Sequence, residues 1–476
     1  MLLPALIALP LVAAGIAAAL PSERWRPWML ASAAAGHLAL TFAALTGPTE
    51  RSLGGWLALD APGRLVLLLL SVLFAICAVY AVGYLRYRRE ISNRVFVPCL
   101  LVFLAMTTLV ACSQHLGLLW VAIEATTLTT APLIYFNRTP HSIEATWKYL
   151  LVGSVGIAIA LLGSFFLAYA SLGEESSLLF SDLLARAARM NRSWLHVAFV
   201  LLLVGYGTKM GLAPMHTWKP DAYGEAPGVV GALLAGGLTN CAFLALLRVF
   251  HICQAAGEGA YASRLLVFFG LLSIGVAAVF MVGQRDFKRM LAYSSVEHMG
   301  ILVLGVGLGG SGIFAALLHM LNNGITKGVL FLSAANIHRA FDSKSIDDVQ
   351  GAMRRVPLSG WLFLLGFFAI TGSPPFGPFV SEFLVVTRAF AAERFVVGGL
   401  FLALLLVVFV GMGRTVLTVV QGAAPAAASR TSYRDGLLTG LPILVSMGIV
   451  LLLGVHIPSP LESLIRAAAT LLETTP

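Results

Sequence analysis

Apolar stretches long enough to cross a bilayer recur from one end of this 476-residue chain to the other. In hydrocarbon, each backbone N–H and C=O group must be satisfied within its own element, which leaves α-helices for segments of about 20 apolar residues. The composition agrees with this pattern, because 59% of the residues are hydrophobic and only 11% are charged. The sequence therefore predicts an all-α polytopic membrane protein that is embedded in the lipid bilayer.

About fourteen transmembrane helices are expected from the apolar windows. The predicted spans lie near residues 2–20, 28–46, 62–84, 95–113, 115–136, 147–171, 194–214, 226–252, 263–283, 290–310, 312–336, 358–391, 394–420 and 437–458. The segment 2–20 is interpreted as a first span, because no basic segment precedes it as in a signal peptide. Four regions result: helices 1–3 in 1–94, a five-helix repeat in 95–252, a second in 263–420, and an inner loop with a C-terminal helix in 421–476.

Basic residues are concentrated in one set of the predicted loops. About 17 lysine and arginine residues, Lys219 among them, fall on one side, against about 7 on the other. By the positive-inside rule the richer side is cytoplasmic, which places both termini outside the inner (plasma) membrane of a bacterium or archaeon. The same bias explains the formal net charge of +9 without nucleic acid as a partner.

The residues that would hold a cofactor do not form a recognisable pattern. The cysteines are Cys77, Cys99, Cys112, Cys241 and Cys253, scattered through apolar segments without a C-x-x-C pair. This spacing argues against an iron–sulfur or zinc site. The sequence also lacks a glycine-rich nucleotide motif and a P-loop. We therefore expect no cofactor, no metal and no redox site in this chain.

Two of the predicted helices are interrupted by proline and glycine. The stretches are GTKMGLAPMHTWKPDAYGEAP, residues 207–227, and ITGSPPFGPFVSEF, residues 370–383. They fall in the seventh and twelfth spans, which are the fourth helix of each five-helix group. Interruptions in corresponding helices are typical of inverted-repeat transporters with a site near the membrane midplane. Two unrelated proline kinks are the alternative interpretation.

An ionisable residue accompanies each interruption. Lys209 precedes the first break, at the C-terminal end of a half-helix, where the helix dipole favours a cation. Glu382 follows the second break, near the start of a half-helix, where the dipole favours an anion. Each charge is therefore expected at the helix end that tolerates it.

Further ionisable residues lie inside apolar spans, where each costs about 2.5–3.5 kcal/mol on insertion scales. Glu124 is expected near the centre of the fifth span, and a Glu124–Lys209 salt bridge that merely joins two helices is one alternative. His319, Asn323 and Lys327 are spaced i, i+4, i+8, so they share one face of the eleventh helix. The remaining candidates are Glu297 and His298 in the tenth span, with His216 and Arg414 nearer to span ends. Such a polar face predicts either a path for protons or a hydrated seam between helices.

Three motifs together resemble a known family. KMGLAPMHTWKPDAYGEAP, FKRMLAYSSVEHMGILVLGVGLGG and ITGSPPFGPFVSEF are similar to the antiporter-like membrane subunits of respiratory complex I, Mrp-type antiporters and membrane-bound hydrogenases. The motifs SSVEHMG and GSPPF…SEF are most similar to those of the F component of hydrogenase-4. The resemblance implies proton translocation through Glu124, Lys209, Lys327 and Glu382. It also implies partners: other membrane subunits and peripheral nickel–iron hydrogenase-like and iron–sulfur proteins.

Two positions depart from the pattern of that family. A lysine is common in the eighth helix, where this sequence has Asn240, and a second histidine commonly follows His319, where it has Asn323. Asparagine can bind water but cannot carry a proton at neutral pH. The proton path is therefore expected to be water-mediated or interrupted at these two positions.

Three functions remain open from the sequence. The first is a proton-translocating subunit of a hydrogenase-type oxidoreductase complex, with the redox chemistry in partner subunits. The second is a subunit of a cation/proton antiporter, in which sodium uses the same carboxylates. The third is a non-conducting scaffold that docks a peripheral enzyme.

Overall fold

A computed structural model describes residues 2–47, 50–88, 90–171, 177–423 and 431–473. The first half contains α1 (Leu2–Ala19), α2 (Arg26–Thr46), α3 (Ala61–Tyr87), α4 (Phe96–Cys112), α5 (Leu116–Ile134), α6 (Pro140–Ala170), α7 (Phe180–Arg186), α8 (Arg192–Met210), α9 (Trp218–Glu225) and α10 (Gly228–Leu233). The second half contains α11 (Thr239–Ala255), α12 (Gly259–Met281), α13 (Phe287–Leu308), α14 (Ser311–Phe341), α15 (Ala352–Arg355), α16 (Pro357–Ile370), α17 (Gly377–Ala391), α18 (Phe395–Val420), α19 (Leu437–Val455) and α20 (Ser459–Glu473).

These helices confirm the predicted class, a multi-pass helical membrane protein. Among the described residues, eleven helices are long and apolar enough to cross a membrane, and α4 and α16 are shorter apolar helices. The helix from α10 to α11 is continuous through a π-helical segment, Leu234–Leu238. The count of fourteen spans, the boundaries of the two repeats and the side on which the termini lie stay predictions.

Three local features differ from the sequence-based expectation. The sixth helix begins at Pro140 and not near residue 147, because the Thr139 hydroxyl accepts from the Ser142 N–H at 3.1 Å and caps it. An amphipathic helix, α20, follows the last predicted span. A small hairpin pairs β1 (Arg51–Ser52) with β2 (Leu57–Ala58). Most of the predicted inner loop after residue 421 lies outside the described residues.

Both predicted interruptions are present. The helix α8 ends before Gly211, which has φ +80°, and the chain becomes helical again in α9. The helix α16 ends before Gly372, which has φ +67°, and α17 follows. A positive φ is a conformation that glycine adopts without strain, so each half-helix ends at a residue suited to that turn. The Ala213–Pro214 and Pro374–Pro375 peptide bonds in these breaks are cis.

Glycines let α6 and α8 approach closely. The first half of the predicted seventh span, α8, therefore lies next to α6. A Cβ atom at Gly205 would lie 2.5 Å from the backbone nitrogen of Ala160, and one at Gly156 would lie 2.6 Å from Thr208 Cβ. Small residues at such contacts are typical of membrane helix pairs, because they allow backbones to pack against each other. The position of Lys209 on α8 depends on this contact.

We expect Gly205→Ala to destabilise the protein by about 1–3 kcal/mol, because the added methyl group forces α6 and α8 apart. The matched control is Gly275→Ala in α12, where an added Cβ meets nothing within 4 Å. That change should leave stability equal or slightly higher, because alanine favours the helix over glycine by about 1 kcal/mol. The measurement is the midpoint of detergent-induced unfolding, and equal midpoints for both variants would contradict the close packing of α6 on α8.

Candidate functional site

Glu124 and Lys209 are connected through the hydroxyl group of a threonine. Thr127 Oγ1 donates to Glu124 Oε2 at 3.0 Å, and Lys209 Nζ donates to the same Thr127 oxygen. Lys209 Nζ also donates to the Tyr149 hydroxyl at 3.1 Å. A direct ion pair between Glu124 and Lys209 is absent from the described part of the chain. The arrangement is therefore a hydrogen-bonded series from carboxylate to hydroxyl to ammonium, not a simple salt bridge.

The two charged groups differ in their exposure. Lys209 is 1% exposed, and its ammonium lies 4.8 Å from the centre of the Tyr149 ring. Glu124 is only half-buried, and its second oxygen accepts from the exposed Ser154 hydroxyl at 3.0 Å. Glu124 is therefore less enclosed than Lys209, because α5 and α6 leave its carboxylate between them at the edge of the helix bundle. One end of the series thus faces the lateral surface, and the other lies inside the protein.

The second half of the molecule contains a buried pair of histidines. His298 Nδ1 on α13 lies 2.9 Å from His319 Nε2 on α14. His319 Nδ1 lies 2.9 Å from the Ser381 hydroxyl on α17. All three side chains are 0% exposed, and Glu297 Oε2 lies 3.8 Å from His298 Nε2. His319 is hydrogen-bonded through both ring nitrogens, and such an imidazole can accept a proton on one side and release one on the other.

Glu382 lies immediately beside this pair. Its side chain is 5% exposed, and its Oε1 atom has no hydrogen-bond partner among the described residues. The other oxygen lies against Gly372, where an added Cβ would be only 2.1 Å from Oε2. The carboxylate therefore occupies the space that the break in the twelfth helix leaves open.

Ligand atoms of His298, His319 and Glu382 lie within 4.8 Å of one another. Two imidazoles and a carboxylate are a donor set that a zinc ion accepts, so the site could hold a metal, which the sequence analysis did not predict. The contacts of the two rings are at hydrogen-bond distance, which equally suits proton exchange between them.

Lys327 and Lys219 bind consecutive serines of α13. Lys327 Nζ donates to Ser294 Oγ at 2.7 Å, and Lys219 Nζ donates to Ser295 Oγ at 3.0 Å. Both lysines are 0% exposed. The assignment of Lys219 to a cytoplasmic loop is therefore wrong. The proline-rich segment after the break resembles a loop in sequence, but the chain forms α9 there and packs between α6 and α13.

The asparagines at the two departures from the family pattern are also buried. Asn240 Nδ2 donates to the Gly236 carbonyl at 2.9 Å, whereas its Oδ1 has no partner in the described chain. Neither polar side-chain atom of Asn323 has a described partner. Buried polar atoms of this kind are typical of positions that bind ordered water. The predicted water-mediated path at these positions stays a prediction.

The side chains of His216 and Arg414 have no described hydrogen bond to these residues, although the His216 carbonyl accepts from the backbone N–H of Lys219 at 2.9 Å. His216 is 8% exposed, and its ring lies 6.2 Å from that of Tyr293 at the first break. Arg414 is on the exposed face of α18. The structure brings the remaining predicted residues to the polar interior of the bundle, apart from Glu124 at its edge. The residues missed from the sequence are Lys219 and the hydroxyl-bearing Thr127, Tyr149, Ser294, Ser295 and Ser381.

Comparisons with known proteins identify the family to which the chain belongs. Residues 113–409 match the family model described as NADH:quinone oxidoreductase/Mrp antiporter, TM. The chain is 35% identical over 416 residues to the hydrogenase-4 component F homolog of Methylacidiphilum infernorum, covering 85% of this chain and 86% of that protein. It is 25% identical over 439 residues to an Na(+)/H(+) antiporter subunit of Alkalihalophilus pseudofirmus, covering 90% and 87% of the two chains.

A solved structure has the same fold. A chain of the membrane-bound sulfane sulfur reductase, an archaeal respiratory membrane complex, superposes with a TM-score of 0.89 at 22% identity, covering 99% of this chain and 98% of that chain. The resemblance noted from the three sequence motifs is thereby confirmed. This chain belongs to the family of transmembrane subunits shared by NADH:quinone oxidoreductases and Mrp antiporters.

Proposed function

We infer that this chain is a proton-translocating membrane subunit of a hydrogenase-type oxidoreductase complex. The observation that supports the function best is the set of ionisable side chains inside the bundle: Lys209, Lys327, the two histidines and Glu382, with Glu124 half-buried at the bundle edge. Hydroxyl groups bind several of them, because Thr127 lies between Glu124 and Lys209 and Ser381 bonds His319. Charged groups inside a membrane are retained where they serve transport. The similarity to a hydrogenase-4 component F homolog supports the type of complex.

The mechanism follows from the opposing effects on Lys209. Burial disfavours the ammonium form, whereas the Glu124 carboxylate, reached through one hydroxyl, favours it. When Glu124 is ionised, Lys209 holds its proton; when Glu124 is protonated or its charge is compensated by a neighbouring subunit, Lys209 releases it. Glu124 is placed to sense such a change because it lies at the lateral edge of the bundle.

In the second half of the molecule, the proton passes to Lys327, to the histidine pair and to Glu382. His298 and His319 exchange it across 2.9 Å, and the Ser381 hydroxyl continues the series toward α17. The break before α17 leaves backbone groups that need water or protein partners, which is compatible with a hydrated exit.

The partners in this proposal are other membrane subunits, together with peripheral nickel–iron hydrogenase-like and iron–sulfur proteins that carry out the redox reaction. The membrane would be the plasma membrane of a bacterium or archaeon. The second candidate is a subunit of a cation/proton antiporter, which the similarity to an Na(+)/H(+) antiporter subunit favours. Sodium would then occupy the same carboxylates.

We expect Lys209→Met to lower hydrogen-driven proton uptake about a hundredfold, because it removes a positioned proton carrier. Glu124→Gln should lower it less, about tenfold, because the amide oxygen still accepts from Thr127 but carries no charge. The measurement is the acidification of inverted membrane vesicles from the native host, divided by the hydrogen oxidised.

The matched control is Lys148→Met on α6, whose ammonium pairs with Glu144 at 2.6 Å and Asp221 at 3.0 Å. Ion pairs at the surface contribute only about 0–1 kcal/mol, so uptake should stay unchanged. Full uptake in Lys209→Met complexes that assemble normally would contradict proton translocation through this chain and favour a scaffold.

Thr127→Val tests the hydroxyl group between Glu124 and Lys209. It keeps the shape of the side chain but breaks two hydrogen bonds to charged groups, which should cost about 1.5–3 kcal/mol of stability. It should also lower proton uptake, because the carboxylate and the ammonium lose their connection. The control is Thr129→Val, whose hydroxyl donates to the Thr126 carbonyl at 3.1 Å and to no charged group among the described residues. Equal unfolding midpoints and equal uptake for the two variants would exclude a role for the Thr127 hydroxyl.

A further inference from the structure

Lys219 is a fully buried cation outside the set of residues that the sequence pattern indicates. Its Nζ atom donates to the hydroxyl of Ser295 at 3.0 Å and lies 3.4 Å from the carbonyl oxygen of the same residue. The ring of Tyr223 lies 5.8 Å away. Among the described residues its hydrogen-bond partners are neutral and no carboxylate pairs with it. A buried ammonium without a counter-ion is costly, so a purely structural role explains it poorly.

The surroundings of Lys219 repeat those of Glu382 at the other break. A Cβ atom at Gly211 would lie 2.2 Å from Lys219 Cε, as one at Gly372 would lie 2.1 Å from Glu382 Oε2. In both places a left-handed glycine ends the first half-helix, and an ionisable side chain from the second half-helix lies directly on that glycine. The two broken helices therefore hold one ionisable group each in equivalent surroundings, a lysine in one and a glutamate in the other.

Neighbouring contacts hold Lys219 between Lys209 of α8 and Lys327 of α14. The Trp218 indole donates to the Thr208 carbonyl at 2.9 Å, and the Trp218 and Tyr149 rings are 5.1 Å apart. These contacts hold the start of α9 against the end of α8, next to Lys209. On the other side, Ser295 follows Ser294, which binds Lys327. Lys219 and Lys327 thus bind adjacent residues of α13, Ser295 and Ser294.

This position also bears on the asparagine in the eighth helix. Asn240 cannot titrate, so a lysine in that helix is not available to connect Lys209 with Lys327. Lys219 of α9 is a buried lysine that can titrate, and it binds Ser295 beside the serine that binds Lys327.

We propose that Lys219 is the proton carrier that connects Lys209 to Lys327, a role that rests on the proposed function of the chain. The neutral amine accepts a proton from the Lys209 side, and the resulting ammonium releases it toward Lys327 through hydroxyl groups or water. Each cycle returns Lys219 to its starting form, so the step needs no oxidant or reductant. Repulsion between the ammonium groups of Lys219 and Lys327 favours release of one proton when the other arrives.

The test compares Lys219→Met, Lys219→Arg and Lys219→His in the native complex, in inverted vesicles supplied with hydrogen. Methionine cannot carry a proton, and arginine keeps the charge but does not deprotonate in proteins. Both should lower proton uptake per hydrogen oxidised about a hundredfold, whereas histidine, which titrates, should restore part of it. The matched control is Lys288→Met, a buried lysine that donates to the Gly224 and Ala226 carbonyls at 2.8 and 2.7 Å. Uptake per assembled complex should not change in this control.

The outcomes separate this proposal from the function on which it rests. Wild-type uptake in Lys219→Arg would show that positive charge suffices, and would overturn the role as a carrier. Full uptake in Lys219→Met beside low uptake in Lys209→Met would overturn the carrier and leave the proposed function intact. Full uptake in both, or no hydrogen-driven uptake in the wild type, would overturn both. If Lys219→Met does not accumulate in the membrane, the arginine and histidine variants, which keep a polar group on Ser295, decide between the outcomes.

Discussion

The cost of placing an ionised side chain in a bilayer governs this structure. An isolated charge at the centre of a membrane helix costs several kcal/mol, so it needs polar partners or a helix end nearby. The two interrupted helices supply those ends inside the bundle. Lys209 lies two residues before the glycine that ends α8, and Glu382 lies against the corresponding glycine after α16. The breaks are therefore part of what makes the buried charges tolerable.

Hydroxyl groups connect the charged residues without neutralising them. A direct ion pair would stabilise both charges and hold the proton on the lysine, whereas a hydroxyl between them transmits a weaker influence that a change at one end can reverse. Thr127 has this position between Glu124 and Lys209. Lys219 and Lys327 each bind a hydroxyl of their own, Ser295 and Ser294 of α13. The same small side chains also allow close helix packing, which keeps the donor and acceptor atoms within hydrogen-bond distance.

Much of the fold could be predicted, because apolar length and the proline and glycine residues act locally along the chain. The breaks and the charged residues next to them could also be predicted, because proline, glycine and charged residues are local features of the sequence. Partners across helices were not, since serines and threonines such as Ser294 and Thr127 look like ordinary helix residues in sequence. Lys219 was misassigned because a short helix with Pro220 inside it, flanked by Pro214 and Pro227, resembles a loop in sequence. The two-residue strands were too short to show a period, and the half-exposed position of Glu124 depends on how α5 packs against α6.

The most direct test of proton translocation is to purify the complex through a tag on this chain, reconstitute it in liposomes and measure internal acidification with hydrogen as the electron donor in sodium-free buffer. We expect acidification that begins with hydrogen oxidation and is abolished by an uncoupler. Hydrogen oxidation without acidification would contradict it, as would acidification that appears only with an imposed sodium gradient and needs no electron donor.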